Sequence, residues 1–278
     1  MKKAEKRKVV LIGTGMVGMS YAYAILNQNL CDELVLIDIN KKKAEGEAMD
    51  LNHGVAFSGG NMEIYAGEYS DCRDADLIVL TAGLPQKERQ SRLDLLKENR
   101  KIFESILHSV LQSGFCGIFL VATNPVDIMT RIVYEISGFS PEKVIGTGTA
   151  LDTARLRYLL GEKIDPRNMH AYVMGEHGDS EFVPWSQAMM ATKPIFDLCG
   201  ETKGCHFQEL LELEEEVRMA AYKIIEAKKA TYYGIGMAMA RITKAIFGNE
   251  YSVLTVSAYL QGEYGESGIY IGIPCVVN

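Results

Sequence analysis

A glycine-rich turn that follows a short apolar segment constrains the fold of this sequence more than any other feature. Val9–Ile12 is wholly apolar, which is typical of a parallel strand buried on both faces. Residues 13–18 read GTGMVG, and a helical pattern runs from Met16 to about Gln28. Between a strand and a helix, the first glycine permits the tight bend, the second lets a pyrophosphate approach the backbone, and the third permits close packing. The turn therefore predicts a dinucleotide-binding unit.

Further apolar segments alternate with helical patterns along the first half of the chain. Strands are predicted at Leu34–Ile37, Leu77–Leu80 and Ile118–Val121, with helices over about residues 40–51 and 93–112. This alternation is typical of a parallel sheet with right-handed crossover connections. The sequence thus predicts an α/β fold that begins with a Rossmann-type parallel sheet.

The pattern changes after about residue 145, where long helices are predicted over about residues 208–229 and 232–247. Two strand-like segments, Val253–Leu260 and Ile269–Val277, follow them. A length of 278 residues also fits two domains, at about 150 residues each. We therefore expect a dinucleotide-binding domain over residues 1–145 and an α+β catalytic domain over residues 146–278.

Charge and composition exclude several classes of protein. A hydrophobic fraction of 47% with 23% charged residues describes a folded globular chain. The net charge of −7 argues against a nucleic-acid partner, because binding a phosphate backbone needs clustered positive charge. The apolar segments are too short to span a bilayer, and glycines interrupt the one after the basic N-terminus, unlike a secretory signal.

The cysteines point to a reducing compartment. All six are scattered without a CxxC pair, which is the usage of free thiols in a cytoplasmic protein. No HExxH motif or paired Cys/His spacing is found, so no metal site is predicted.

Asp38 lies twenty residues after Gly18, at the end of the second predicted strand. An acid at this position accepts hydrogen bonds from a ribose diol and repels a 2′-phosphate, which predicts NAD as the cofactor rather than NADP. Two other interpretations stay open at this point: Asp38 caps the next helix, or it binds the cofactor ribose of a methyltransferase.

A histidine between two glycines is the first candidate for catalysis. His177 lies in Gly175–Asp179, which reads GEHGD, and the flanking glycines allow close approach of the backbone to a ligand. His53, His108 and His206 lack a comparable setting, and we interpret them as structural.

Asp152 and Arg155 share one face if their segment is helical. They can form an intrahelical ion pair, worth about a few tenths of a kcal/mol. Alternatively, Asp152 holds the His177 imidazole and stabilises its protonated form, while Arg155 binds a substrate carboxylate with two hydrogen bonds. Asn124 follows the Ile118–Val121 strand and places an amide at the ligand-binding edge of the sheet.

With these motifs in place, the chain resembles the NAD-dependent L-2-hydroxyacid dehydrogenases of the lactate/malate family over essentially its whole length. The segments that carry the resemblance are Val9–Gly18, Thr81–Gly83, Arg92–Asp94, Ala122–Asp127, Leu151–Arg155 and Gly175–Asp179.

The resemblance implies a role for each candidate catalytic residue. His177 is the proton donor and acceptor, Asp152 orients it, and Arg155 binds the substrate carboxylate. Arg92, on a mobile loop, closes over the substrate and polarises its carbonyl, and Asn124 contacts both substrate and nicotinamide. Hydride then moves from the nicotinamide to the keto carbon while the imidazole protonates the oxygen.

The resemblance also implies an NAD site. The matching positions are Gly13, Gly15, Val17, Gly18, Asp38, Lys43, Tyr69, Gly83, Ser105, Ala122, Thr123, Asn124 and Thr147.

Gln86 bears on the substrate. Malate dehydrogenases carry arginine at the matching position, where it pairs with the second carboxylate of oxaloacetate, and a neutral amide leaves that charge unpaired. Thr231 matches a threonine of the lactate enzymes, whereas Leu84-Pro85 is more malate-like and Lys87–Gln90 departs from both patterns. The residues favour pyruvate and lactate, with malate or another 2-hydroxy acid as the alternative.

A second binding site is expected at Arg157 and His170. Arg157 is about 200° around a helix from Arg155, and in a continuous strand His170 would face away from His177. In allosteric bacterial members the two matching positions bind fructose 1,6-bisphosphate between the subunits of a homotetramer. The competing interpretation is a surface arginine and histidine that bind no ligand.

The end of the chain adds one further alternative. Family members continue beyond the position of Asn278 with another strand and a long helix near the active site. If the natural protein stops here, Ile269–Val277 presents an exposed strand edge. The alternative is then a catalytically impaired protein that binds NAD in a regulatory or purely binding role.

Overall fold

In a computed structural model of the chain, residues 6–84, 92–161, 168–197 and 207–278 are described, with the backbone alone for residues 92–94 and 207. Eight strands form one large sheet and three short strands form a second. The strands are β1 (Lys8–Ile12), β2 (Glu33–Ile37), β3 (Glu63–Ala66), β4 (Leu77–Leu80), β5 (Ile118–Val121), β6 (Val144–Gly146), β7 (Met169–His170), β8 (Met189–Met190), β9 (Lys193–Pro194), β10 (Ser252–Gln261) and β11 (Ser267–Val277).

The large sheet has the order β11-β10-β6-β5-β4-β1-β2-β3. Its strands from β6 to β3 are parallel, as predicted, and β4 and β5 occupy the predicted residues. Every residue of β1 is buried, because helices cover both faces of the sheet.

The helices are α1 (Met16–Gln28), α2 (Lys41–Val55), α3 (Arg92–Ser113), α4 (Val126–Ser137), α5 (Ala150–Leu160), α6 (Phe207–Lys228) and α7 (Tyr233–Gly248). Leu11 packs in a core with α1, α2 and α7, whereas its neighbour Val10 packs in a second core with α3 and α4. This alternation along β1 follows the two-residue period of a strand. None of the helices in the described ranges is long and apolar enough to cross a membrane.

The last two strands continue the first sheet. Ser257 of β10 pairs antiparallel with Gly146 of β6, and β11 pairs with β10 at the edge. The predicted strands at 253–260 and 269–277 are present, but they extend the parallel sheet and do not form a separate one. A third core, around Leu156, Trp185 and Leu210, lies between α5 and α6. The two predicted domains thus contribute strands to one sheet, and the boundary between residues 145 and 146 stays a prediction.

Candidate active site

A cavity of about 1020 Å³ opens at the carboxyl ends of β1, β2 and β4. Seven of the predicted cofactor positions line it: Gly13, Gly15, Asp38, Lys43, Tyr69, Gly83 and Ser105. The other predicted cofactor positions, which the structure also describes, lie outside its lining: Val17, Gly18, Ala122, Thr123, Asn124 and Thr147.

The glycines of the turn meet different surroundings. Gly13 has φ +105°, and a Cβ there would lie 2.5 Å from the backbone nitrogen of Ala82. A Cβ on Gly18 would collide with the carbonyl oxygen of Gly13. A Cβ on Gly15 would meet no atom within 4 Å, and Gly15 precedes α1 without a side-chain cap. The helix N-terminus is thus open toward the cavity, which fits a pyrophosphate.

Asp38 faces the same turn from the end of β2. Its Oδ2 accepts hydrogen bonds from Thr14 N and Thr14 Oγ1, at 2.8 and 2.9 Å, and its Oδ1 accepts from Asn40 N at 2.9 Å. Burial favours a higher pKa, but the hydrogen bonds outweigh it and hold the pKa of Asp38 below its usual range. The side chain of Asn40, not that of Asp38, caps α2 by accepting from Lys43 N. The Asp38 carboxylate is therefore charged where a ribose diol is expected.

Asp152 lies between His177 and Arg155. Its Oδ2 is 2.7 Å from His177 Nδ1, and its Oδ1 accepts a hydrogen bond from an Arg155 Nη atom at 2.8 Å. The Asp152 side chain is 2% exposed, Arg155 13% and His177 26%, so the carboxylate is the deepest of the three. Asp152 thus forms both the ion pair with Arg155 and the contact with His177 that the sequence offered as alternatives, and binding of a substrate carboxylate by Arg155 stays a prediction.

The charges of this cluster shift one another. Burial favours a lower pKa for His177, but the hydrogen bond and charge of Asp152 outweigh it and raise that pKa above its ordinary value. Burial favours a higher pKa for Asp152, and here His177 and Arg155 lower it instead. The imidazole is therefore suited to carry a proton near neutral pH.

The loop that carries His177 is fixed by backbone contacts. Gly175 and Gly272 exchange backbone hydrogen bonds of 2.9 and 3.0 Å. Met174 and Phe182 exchange another two, which closes the loop around His177. The His177 N–H donates to Asp127 Oδ2 at 3.1 Å, so α4 also positions the loop.

Two buried acids next to this cluster were not predicted as site residues. Asp127 belongs to a motif that carried the resemblance, but its contact with the His177 backbone could not be read from spacing. Glu181 is four residues after His177 and 4% exposed, and no sequence signal set it apart from other acids. Oxygens of Glu181 and Asp152 and a nitrogen of His177 lie within 4.8 Å of one another. We assign no metal there, since His177 Nδ1 is bonded to Asp152 and the Arg155 guanidinium repels a cation.

Four further positions were predicted to contact the substrate, and the structure describes only some of them. Gln86 lies in the segment 85–91, outside the description. Arg92 begins α3 and is not part of a loop as the resemblance implied, and its side chain is outside the description. Asn124 is exposed at the end of β5, and Thr231 is half-buried before α7. His206 is likewise undescribed.

The predicted second site needs one correction. The strand that begins at Met169 ends at His170, and Gly175 further along has φ +100°. No continuous strand joins His170 to His177, so the argument from strand parity is wrong. His170 is exposed, and the next residue, Ala171, accepts a hydrogen bond from Arg157 Nε at 3.1 Å. Arg157 and the His170 backbone are therefore neighbours.

The sequence matches both domains of one known family. Residues 7–146 match the lactate/malate dehydrogenase NAD binding domain, and residues 149–278 match the alpha/beta C-terminal domain of that family. The chain belongs to the lactate/malate dehydrogenase family. As a member, it is an NAD-dependent oxidoreductase, and the cavity at the glycine turn is where its residues fit NAD.

Relatives and solved structures agree with this membership. The chain is 54% identical over 280 residues to L-lactate dehydrogenase 2 of Bacillus cereus and to that of Bacillus anthracis, over 100% of this chain and 89% of each relative. A lactate dehydrogenase from a Medee basin deep-sea metagenome library has a TM-score of 0.96 at 54% identity, over 98% of this chain and 88% of that chain. The minor L-lactate dehydrogenase from Enterococcus mundtii, with ligands bound, has a TM-score of 0.96 at 51% identity, over 98% and 87%.

Proposed function

We propose that this chain interconverts pyruvate and L-lactate with NAD. The observation that carries the proposal is the arrangement of His177, Asp152 and Arg155, joined by contacts of 2.7 and 2.8 Å. It combines a proton donor with a cation for a carboxylate, which are the two groups that reduction of a 2-keto acid requires. The names of the similar proteins support the same substrate pair.

Each residue then has a defined task. The cofactor, when bound, would supply the hydride as NADH and accept it as NAD⁺. Arg155 binds the substrate carboxylate with donors that it does not use on Asp152. His177 gives its proton to the keto oxygen from Nε2, because Nδ1 is held by Asp152. Asn124 orients the substrate, and Arg92 stabilises the negative charge that develops on the oxygen.

We assign the substrate preference to Gln86. The malate enzymes place arginine at this position, and the neutral amide leaves the second carboxylate of oxaloacetate without a partner. Thr231 supports the same preference. Pyruvate has a methyl group where oxaloacetate has its second carboxylate, so it needs no cation at position 86.

The experiment is NADH oxidation by the purified chain with pyruvate and with oxaloacetate. We expect faster turnover with pyruvate, and we expect Gln86→Arg to move the preference toward oxaloacetate. Gln90→Arg is the matched control, since it makes the same charge change in the same segment. NADH binding without turnover of either acid would support the non-catalytic alternative, and an unchanged pyruvate preference in Gln86→Arg would contradict the role of Gln86.

We also propose regulation by fructose 1,6-bisphosphate at Arg157 and His170, in a homotetramer. Half-buried Arg157 has its guanidinium carbon 4.9 Å from the Tyr172 ring centroid and donates to the carbonyl of Ala171, the residue after exposed His170, so the proposal places the guanidinium and the imidazole on one anion. The expected result is a lower KM for pyruvate when the sugar bisphosphate is added, lost in Arg157→Gln. A KM for pyruvate that does not change when the sugar bisphosphate is added would reject the site. Analytical ultracentrifugation tests the tetramer.

A cytoplasmic location belongs to the same proposal. Cys31, Cys72, Cys116 and Cys275 are free thiols among the described residues. Free thiols are typical of a reducing compartment. Fractionation of the source cells, with the activity as marker, tests this location.

A further inference from the structure

Glu181 is a buried carboxyl beside the two residues to which we assign proton transfer. Glu181 is 4% exposed. One of its carboxyl oxygens lies within 4.8 Å of a carboxylate oxygen of Asp152 and of a ring nitrogen of His177. The proposed mechanism gives it no task. A negative charge on a buried acid at this distance nevertheless changes the electrostatic potential at the imidazole and therefore its pKa.

The backbone of Glu181 is held on two sides. Its N–H donates to Gly178 O at 3.1 Å, and its carbonyl accepts from Arg218 Nε at 3.3 Å. Arg218 is itself fixed by ion pairs with Glu214 and Glu215 on α6. Contacts with Gly178 and with α6 therefore fix the backbone of the residue whose carboxyl lies beside His177.

The charged groups around Glu181 do not neutralise it directly. Arg155 donates to Asp152, and Arg218 donates to Glu214 and Glu215. Among the described residues, no hydrogen bond to the Glu181 carboxyl is found. Burial and the charge of Asp152 raise the pKa of Glu181 to about 8, against the opposing charges of His177, Arg155 and Arg218. The Glu181 carboxyl therefore keeps its proton to a higher pH than an exposed glutamate does.

We propose that Glu181 is a positioning residue that acts through His177: its carboxyl releases a proton to solvent in alkaline solution, and the new negative charge keeps the imidazole protonated. The inference rests on the proposed function, because pyruvate reduction needs the protonated imidazole. Its consequence is that reduction continues to a higher pH than the His177–Asp152 pair alone would allow.

The test compares the pH dependence of kcat/KM for pyruvate, at saturating NADH, in the full chain and in Glu181→Gln. The amide keeps the size of the side chain but cannot become charged. We expect activity near pH 6.5 within about threefold of the unmodified chain. The alkaline limb is expected at a pH lower by about half a unit or more, which is the effect of one charge at this distance even in a water-like dielectric.

Two further variants separate this role from a structural one. Glu176→Gln is the matched control, because Glu176 is an exposed acid of the same loop that accepts from Ser180 Oγ, and its alkaline limb is expected to stay in place. Glu181→Asp retains a carboxyl and is expected to restore part of the shift. The proposal would be overturned if kcat/KM fell at the same alkaline pH in Glu181→Gln and in the unmodified chain. It would also be overturned if Glu181→Gln lowered kcat/KM by the same factor at every pH.

A direct titration keeps this result separate from the proposed function. The imidazole pKa of His177 is measured by NMR with labelled histidine and assigned with His177→Gln. A lower pKa in Glu181→Gln supports the inference even if the chain does not reduce pyruvate, and an unchanged pKa overturns it. Absence of pyruvate reduction in the unmodified chain would contradict the proposed function alone.

Discussion

Asp127 accepts the backbone N–H of His177 at 3.1 Å through Oδ2, while its Oδ1 accepts the Ser257 hydroxyl at 2.5 Å. Asp127 is in the first turn of α4, and Ser257 is the residue of β10 that pairs with β6. One buried carboxylate therefore ties the histidine loop to the sheet. The position of the imidazole depends on the shared sheet as well as on Asp152.

Replacement of Asp127 tests this connection. Asp127→Ala leaves the His177 N–H and the Ser257 hydroxyl without their partner, and an unsatisfied buried group costs about 1–3 kcal/mol. We expect a lower free energy of unfolding in urea and a kcat for pyruvate reduced by about tenfold. Ser257→Ala keeps the bond to His177, so its kcat should stay near that of the unmodified chain. Equal kcat in all three proteins would contradict the connection.

Asp152→Asn tests the electrostatic support of the imidazole. Because Asp152 raises the pKa of His177, the protonated imidazole persists above its ordinary pKa and is lost as pH rises through the raised value. Without that charge, burial lowers the pKa, so less imidazole is protonated at neutral pH. We expect pyruvate reduction to fall about 10²–10⁴-fold and its alkaline limb to move to lower pH. Asp179 is an exposed acid of the same loop, so Asp179→Asn serves as the control. If the pH profile of pyruvate reduction is the same in Asp152→Asn and Asp179→Asn, the role of Asp152 is contradicted.

Arg155→Lys tests recognition of the substrate carboxylate. Lysine keeps the charge but loses the planar fork that forms two parallel hydrogen bonds. The expected effect is a KM for pyruvate raised by about tenfold or more, with a smaller change in the Kd of NADH. Steady-state kinetics and NADH fluorescence measure the two quantities. A KM equal to that of the unmodified chain would show that Arg155 serves only as the partner of Asp152.

Two alanine substitutions in the glycine turn should separate folding from cofactor binding. A Cβ at position 15 meets no protein atom, so Gly15→Ala should change the free energy of unfolding by less than about 0.5 kcal/mol. The same Cβ enters the cavity where the pyrophosphate is expected, so the Kd of NADH should rise about tenfold. Gly18→Ala meets the Gly13 carbonyl and should destabilise the fold by about 1–3 kcal/mol. Urea unfolding and NADH titration provide the readouts, and a reversed pattern would contradict the assignment of the two glycines.

The strands that the sequence predicted best are those buried on both faces. β4 and β5 are wholly apolar, and their predicted bounds are confirmed. β3 was missed because Glu63–Ala66 reads EIYA, which is short and begins with a charged residue, so it does not stand out as an apolar segment. β6 was missed because three residues give no period. The helix α4 was missed because it begins directly after Pro125 without a side-chain cap.

The site shows a similar limit. The GTGMVG turn and Asp38 could be placed together, because both follow adjacent parallel strands at the same sheet edge. The contact between His177 and Asp152 was one of two interpretations of the residues and only the resemblance favoured it, since no local rule joins a loop residue to a helix twenty-five positions earlier. Glu181 could not be found in this way, because its burial and its charge environment arise only when α6 packs against the histidine loop.

His177→Gln tests the central claim most directly: that one imidazole, held by Asp152, gives the proton. The measurement is single-turnover oxidation of bound NADH on mixing with pyruvate, with the Kd of NADH determined on the same preparation. We predict a rate lower by about 10²–10⁴-fold with NADH binding retained. A rate within about threefold of the unmodified chain would contradict the assignment of His177 as the proton donor.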